Sequence, residues 1–308
     1  MRIFPYLWAQ KNQMEIYHTL PLETFVKGWH ANDTGVSFSL PAIHLMYAAP
    51  PAQYEYGLSL LRKAIGLYEE KKGISPERSK RDMPFFRTNS RMLVGPEVEL
   101  YMLPFYENRP FHAAPGLSGA KAALAGEAKI SKDGGFSGFG PSAAFSSGNT
   151  GRPWITLKME AEKVASHCLS ENMFFLRCKY EEEAAVQTFA TQLEQEYDKF
   201  FYDEEHSGFT ADSRFFSMLC NAVLEIGLPA YADQKEWRLA VFKSPEEVAY
   251  QYTNGKLLPY FEVSLPINSI LQIHLNDYET DPLLYGAFAG FLKSKGLSPQ
   301  QYLDGMQD

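Results

Sequence analysis

Cysteine is scarce in this sequence. Cys168, Cys178 and Cys220 are the only three in 308 residues. An odd, widely spaced set argues against a disulfide framework, and with no CxxC pair a structural zinc site is not expected. Reduced, buried thiols point instead to the cytoplasm. Long apolar runs are also missing, so no segment is expected to span a bilayer. The apolar start Ile3-Phe4-Pro5-Tyr6-Leu7-Trp8 runs straight into Gln10-Lys11-Asn12-Gln13, without the core and cleavage site of a secretory signal. There is no P-loop, no GxSxG elbow, no HExxH and no GxGxxG following a strand. None of the seven histidines has a partner at the spacing of a helical metal site, so no metal is predicted.

What is present is apolar and aromatic. Hydrophobic residues make up 45% of the chain, with 22 Phe and 18 Tyr, which suits an ordered globular protein. The net charge is −8, where a nucleic-acid binder usually shows a basic face. One compact basic stretch runs from Arg78 through Lys80 and Arg81 to Arg87 and Arg91. A solvated helix face accounts for it more simply than an anion patch.

Periodicity gives the outline of the fold. Glu15–His18 and Val36–Leu40 alternate like strands, and Pro21 suits the first turn of a helix through Phe25 and Trp29. Tyr54, Leu58, Leu61, Ile65 and Tyr68 repeat at helical spacing, so residues 52–72 predict an amphipathic helix capped by Gly73. A second helix is predicted over 76–92 and a strand over 98–105. Nine of the 22 glycines then fall between Gly116 and Gly151. That Gly/Ala/Ser-rich insertion, near 113–153, reads as a long loop, with Ser137–Ser146 a short buried strand.

Further on, Phe174–Tyr180 reads as a strand. A helix follows with Val186, Phe189, Leu193, Tyr197 and Phe200 as its apolar stripe. The glutamates that open it, Glu181, Glu182 and Glu183, suit the positive end of its dipole. Another helix is expected from Thr210 or Asp212 to Ile226. The last third is strand-rich: Lys235-Glu236-Trp237-Arg238 opens one strand, and Asn254-Gly255 is a strong hairpin signal between two more. The prediction is one α+β domain over 1–308, with a bent or split, mostly antiparallel sheet and helices packed on one side.

Two residues stand out chemically. His18 sits near the end of the first strand, where a lone histidine most often makes a structural hydrogen bond. Glu236 shares a strand face with Arg238. Its simplest account is a salt bridge with that arginine, and its functional account is a carboxylate aimed into a cleft.

Taken in order, several segments resemble one bacterial family. They are Tyr17-His18, Tyr54-Glu55-Tyr56-Gly57-Leu58, Phe175-Leu176-Arg177-Cys178-Lys179-Tyr180, Lys235-Glu236-Trp237-Arg238-Leu239 and Leu258-Pro259-Tyr260-Phe261-Glu262. The family is the domain of unknown function 2971, whose members are often encoded near phage-defence or mobile-element genes. The resemblance runs from about Ile16 to Phe291. The chain departs from it at the Asn-Asp-Pro stretch, of which Tyr54-Glu55 keeps only the end. It departs again over Ala113–Gly126, which has no tryptophan.

The family's layout is similar to that of ADP-ribosyltransferase-like folds, which bind NAD. That similarity implies Glu236 and His18 as catalytic residues and Tyr17, Tyr54 and Arg238 as cofactor-binding ones. Glu236 would stabilise positive charge on the ribose as the nicotinamide bond breaks, His18 would bond the other ribose, and Tyr54 would stack on nicotinamide. The first functional expectation is therefore a bacterial defence effector acting on NAD. The second is a non-catalytic binding or sensor module for a small molecule or protein, with an oligomer allowed and the acidic helix near 180–205 as a partner surface. The third, a nuclease-like effector, needs a Mg²⁺-binding carboxylate cluster for which no spacing is present.

Overall fold

A computed structural model describes residues 14–32, 35–49, 51–79, 81, 100–107, 153–197, 222–253, 256–275 and 282–303. The predicted strand over 137–146, the glycine-rich insertion, and most of the helices predicted over 76–92 and 210–226 lie outside these residues.

The described strands are β1 (Glu15–Pro21), β2 (Trp29–Asn32), β3 (Gly35–His44), β4 (Leu100–Tyr106), β5 (Trp154–Glu160), β6 (Phe174–Arg177), β7 (Glu236–Phe242), β8 (Ala249–Thr253), β9 (Lys256–Leu265) and β10 (Ile270–Leu275). The helices are α1 (Leu22–Lys27), α2 (Leu45–Ala48), α3 (Pro51–Lys72), α4 (Ala161–Ser170), α5 (Glu182–Glu196), α6 (Pro282–Ser294) and α7 (Pro299–Tyr302). All strand pairs are antiparallel, in one curled sheet whose main path is β10-β5-β1-β4-β3-β9-β8. The fold is α+β.

The ladder is interrupted at β4. One edge of β4 pairs with β7 along its whole length, and β6 follows outside β7. The other edge is shared by two strands that splay apart. β1 meets it only at Tyr17↔Tyr106, and β3 only at Ile43↔Met102 and His44↔Tyr101. Between those contacts the ladder opens, and Pro104 lies in the gap. A proline is tolerated inside a sheet where no ladder partner needs its missing N–H.

Two cores follow from strand alternation, one on each face. On one face, Leu100, Met102 and Ala240 pack with Tyr54, Leu58, Leu61 and Ile65 of α3 and Val186, Phe189 and Leu193 of α5. These two longest described helices pack side by side on that face, with Lys71–Glu194 (2.8 Å) and Lys63–Glu182 pairing across their exposed edge. On the other face, Tyr101, Leu103, Phe105, Trp237 and Leu239 join a core that shorter helices complete. Phe25 of α1 and Phe288 of α6 meet there with ring centroids 5.6 Å apart.

One buried carboxylate ties the helical layer together. Glu69 on α3 is almost fully buried and accepts hydrogen bonds from Tyr197 (2.6 Å), Ser79 (2.7 Å) and Arg81 (3.1 Å). Arg81, from the basic stretch, is thus spent on an internal tether. Pro76–Arg78 forms a short 3-10 helix where the sequence predicts the start of an α-helix.

Candidate functional site

Glu236 begins β7, directly after a chain reversal at Lys235, which holds the left-handed conformation at φ 47°. Alternation turns Glu236 and Arg238 toward the α3/α5 face, opposite Tyr106 and Pro104 of β4. Both side chains are buried, at 4% and 3% exposure. Arg238 grips the carboxylate with two parallel bonds, Nε to Oε1 at 2.9 Å and Nη2 to Oε2 at 2.7 Å. This fork-on-fork geometry is the strongest form of the pair.

The rest of the guanidinium reaches a helix end. Its Nη1 donates to the carbonyls of Val223 (2.5 Å) and Leu224 (3.1 Å), in the last turn of a helix described from 222 to 225. The final carbonyls of a helix lack intrahelical donors and carry partial negative charge. Here each has one. Ala222 accepts from the Ile226 N–H (3.2 Å), Glu225 from the Lys179 N–H (2.7 Å), and Ile226 from Gln53 of α3. Arg238 therefore joins β7 to a helix C-terminus, and Glu236 neutralises it there.

Tyr180 closes the cluster. Its hydroxyl accepts the Glu236 backbone N–H at 2.9 Å, and its ring packs against Gly227. A Cβ at Gly227 would fall 2.2 Å from the ring, so only glycine fits. Gly227→Ala should cost about 1–3 kcal/mol by overpacking, seen as a lower melting temperature. Tyr180→Ala in the same chain should abolish most of that extra cost, as a double-mutant cycle would register.

The other groups here are chemically quiet. Burial pushes the Cys178 thiol up to about 12, against a smaller opposing pull from Arg238. Burial also raises Tyr180 to about 12, and raises Tyr106 well above its ordinary value with help from the Glu236 charge. None of these would ionise near neutral pH.

The residues expected to surround NAD do not converge. Glu236 and Arg238 are brought together, but with each other. His18 stands on β1 facing the Phe105 core, its ring 5.4 Å from that of Phe105, which is on the face opposite Glu236. Its Nδ1 lies 2.7 Å from the carbonyl of Pro104. A carbonyl only accepts, so Nδ1 carries the hydrogen and donates. Burial lowers the His18 pKa to about 4, so the ring is neutral. Tyr54 is fully buried in α3 and donates to the Leu45 carbonyl at 2.7 Å. Tyr17 is half-buried and donates to Glu15 at 3.3 Å. With both carboxylate oxygens of Glu236 held by Arg238, the arrangement presents no free carboxylate to a ribose.

Two surface clusters carried no signal in the sequence. Glu107 accepts from Arg177 Nε (2.8 Å) and Trp237 Nε1 (3.0 Å) on the Phe105 side of the sheet, where Trp237 stacks on Phe175. On the opposite face of β2, β3 and β9, His30 Nε2 lies 2.9 Å from Ser39 Oγ and 3.3 Å from Glu262 Oε2. Both neighbours contact the same ring nitrogen. A Ser-His-Glu relay needs the carboxylate at the other nitrogen, so this is a hydrogen-bonded cluster and not a triad. Strand register alone brings these three together, and no sequence spacing would have found them.

Among the described residues, no three His, Cys, Asp or Glu side chains are grouped to hold a metal ion, and no helix is long and apolar enough to cross a membrane. No protein-family model matches the chain, and neither a curated protein nor a solved structure does.

Proposed function

We propose that this protein works as a non-catalytic binding module, and that Glu236 and His18 are framework residues within it. The observation that carries this reading is the closed account of Arg238: its Nε and Nη2 go to Glu236 and its Nη1 to a helix end. A catalytic carboxylate has to reach substrate, and this one is buried inside a structural joint. The neutral His18, bonded to Pro104, supports the same reading. The resemblance of the sequence to domain of unknown function 2971 suggests bacterial phage defence in the cytoplasm as the setting. The partner would be a small molecule or protein recruited to the exposed surface.

Two measurements made together test this. Purified protein should leave NAD intact and label no target in a lysate containing the natural trigger. Glu236→Gln should lower the melting temperature, because its amide would face the Arg238 donors with one oxygen too few. NAD consumption that Glu236→Gln abolishes at an unchanged melting temperature would defeat the reading and restore the NAD-using one.

A further inference from the structure

The sheet path ends on β8, and among the described residues β8 pairs with no strand on its outer side. Edge strands are normally blunted by charge, proline or a bulge. This one, Ala249-Tyr250-Gln251-Tyr252-Thr253, has no charge, no proline and no glycine. Its aromatic side chains stand in solvent: Tyr250 is 59% exposed and Tyr252 76%. Leu257, opposite Tyr252 on β9 and on the same face, is 59% exposed. A soluble chain seldom leaves such a strip bare beside an open backbone edge.

We propose that a second copy of this chain covers it, by antiparallel pairing of β8 with β8 across a two-fold axis at Gln251. The strand is self-complementary about that residue. Two residues separate Thr253 from Lys256 in the hairpin, which makes Thr253–Lys256, Gln251–Leu258 and Ala249–Tyr260 the hydrogen-bonded pairs. Tyr250 and Tyr252 therefore turn their N–H and C=O groups outward. With Gln251 facing its own copy, Tyr250 of each chain meets Tyr252 of the other as a hydrogen-bonded pair.

The side chains agree with this register. Each row across the joined sheet then runs Leu257, Tyr252, Tyr250 of the second copy, Pro259 of the second copy, which closes the apolar strip over itself. An isologous contact of this kind makes a closed dimer and leaves no new edge.

This pairing goes beyond the binding reading and does not depend on it. Sedimentation of the full-length chain tests it. The wild type should run as a dimer. Tyr252→Lys, a substitution at a solvent-facing side chain, should weaken that dimer by about tenfold or more, since each axis brings in two lysines. Its melting temperature, measured where both proteins are monomeric, should match the wild type. Gln251→Cys should form an interchain disulfide on mild oxidation, because a non-hydrogen-bonded pair brings Cα atoms to about 4.5 Å. A wild-type monomer at every concentration overturns the proposal. So does a dimer indifferent to Tyr252→Lys, or a strand edge that binds only an added extended peptide. A dimer in which Gln251→Cys fails to cross-link overturns the register.

Discussion

Replacing Arg238 with Ala should cost about 3–5 kcal/mol of folding stability, the effect expected when a buried ion pair loses one partner. The carboxylate of Glu236, at 4% exposure, would lose the donors to both of its oxygens. The carbonyls of Val223 and Leu224 would lose their charged donor at the same time. Urea unfolding at neutral pH measures this directly, and a loss below about 1 kcal/mol would refute the joint described here.

A second variant separates the ion pair from the helix end. When a buried pair stands alone, replacing both partners with apolar residues is often neutral or stabilising. Here Glu236→Met with Arg238→Met should recover only part of the loss, because the helix-end carbonyls keep only weaker donors, Gln53 Nε2 at 3.5 Å on Val223 and Cys178 Sγ at 3.8 Å on Leu224. Full recovery would show that Arg238 serves Glu236 alone. The comparison matters for function, because a carboxylate held for the sake of a helix end has no reason to be reactive.

Local pattern made much of this frame legible. The alternation through Trp237, Leu239 and Val241 implies that Glu236 and Arg238 share a face, and they do. The stripe of Tyr54, Leu58, Leu61 and Ile65 gives α3, and the Asn254-Gly255 signal falls between β8 and β9. Strand β5, with its alternation Ile155, Leu157, Met159, lies just after the glycine-rich stretch, where the sequence reading assigns no element. What pattern does not contain is which distant groups satisfy a given polar atom. Arg238 finds carbonyls 14 and 15 residues away, and His18 finds Pro104 at a separation of 86. Such partners are selected by which strands splay and where a helix stops. Both depend on the packing of the whole sheet. Residue type near a strand end therefore does not reveal that Glu236 and Arg238 pair with each other and that Arg238 also reaches a helix end.

His18 provides the sharpest solution test of that conclusion, because its environment sets a pH window. In the unfolded chain the imidazole titrates near 6.5, and in the folded protein burial lowers it to about 4. Between these values the unfolded state binds a proton that the folded state does not, so acidification favours unfolding. The stability contributed by neutral His18 is thus complete above pH 6.5 and is lost as pH falls toward 4. A shift of this size corresponds to about 3 kcal/mol. Carboxylates add their own acid sensitivity, so the measurement is a difference. His18→Gln keeps a donor for the Pro104 carbonyl and removes the titration. Unfolding free energies of the two proteins, taken at intervals from pH 7.5 to 4.5, should diverge below pH 6.5, with the wild type falling faster. Parallel curves would mean that His18 takes up its proton as readily in the folded protein as in the unfolded chain, and that the ring beside Pro104 is reached by water.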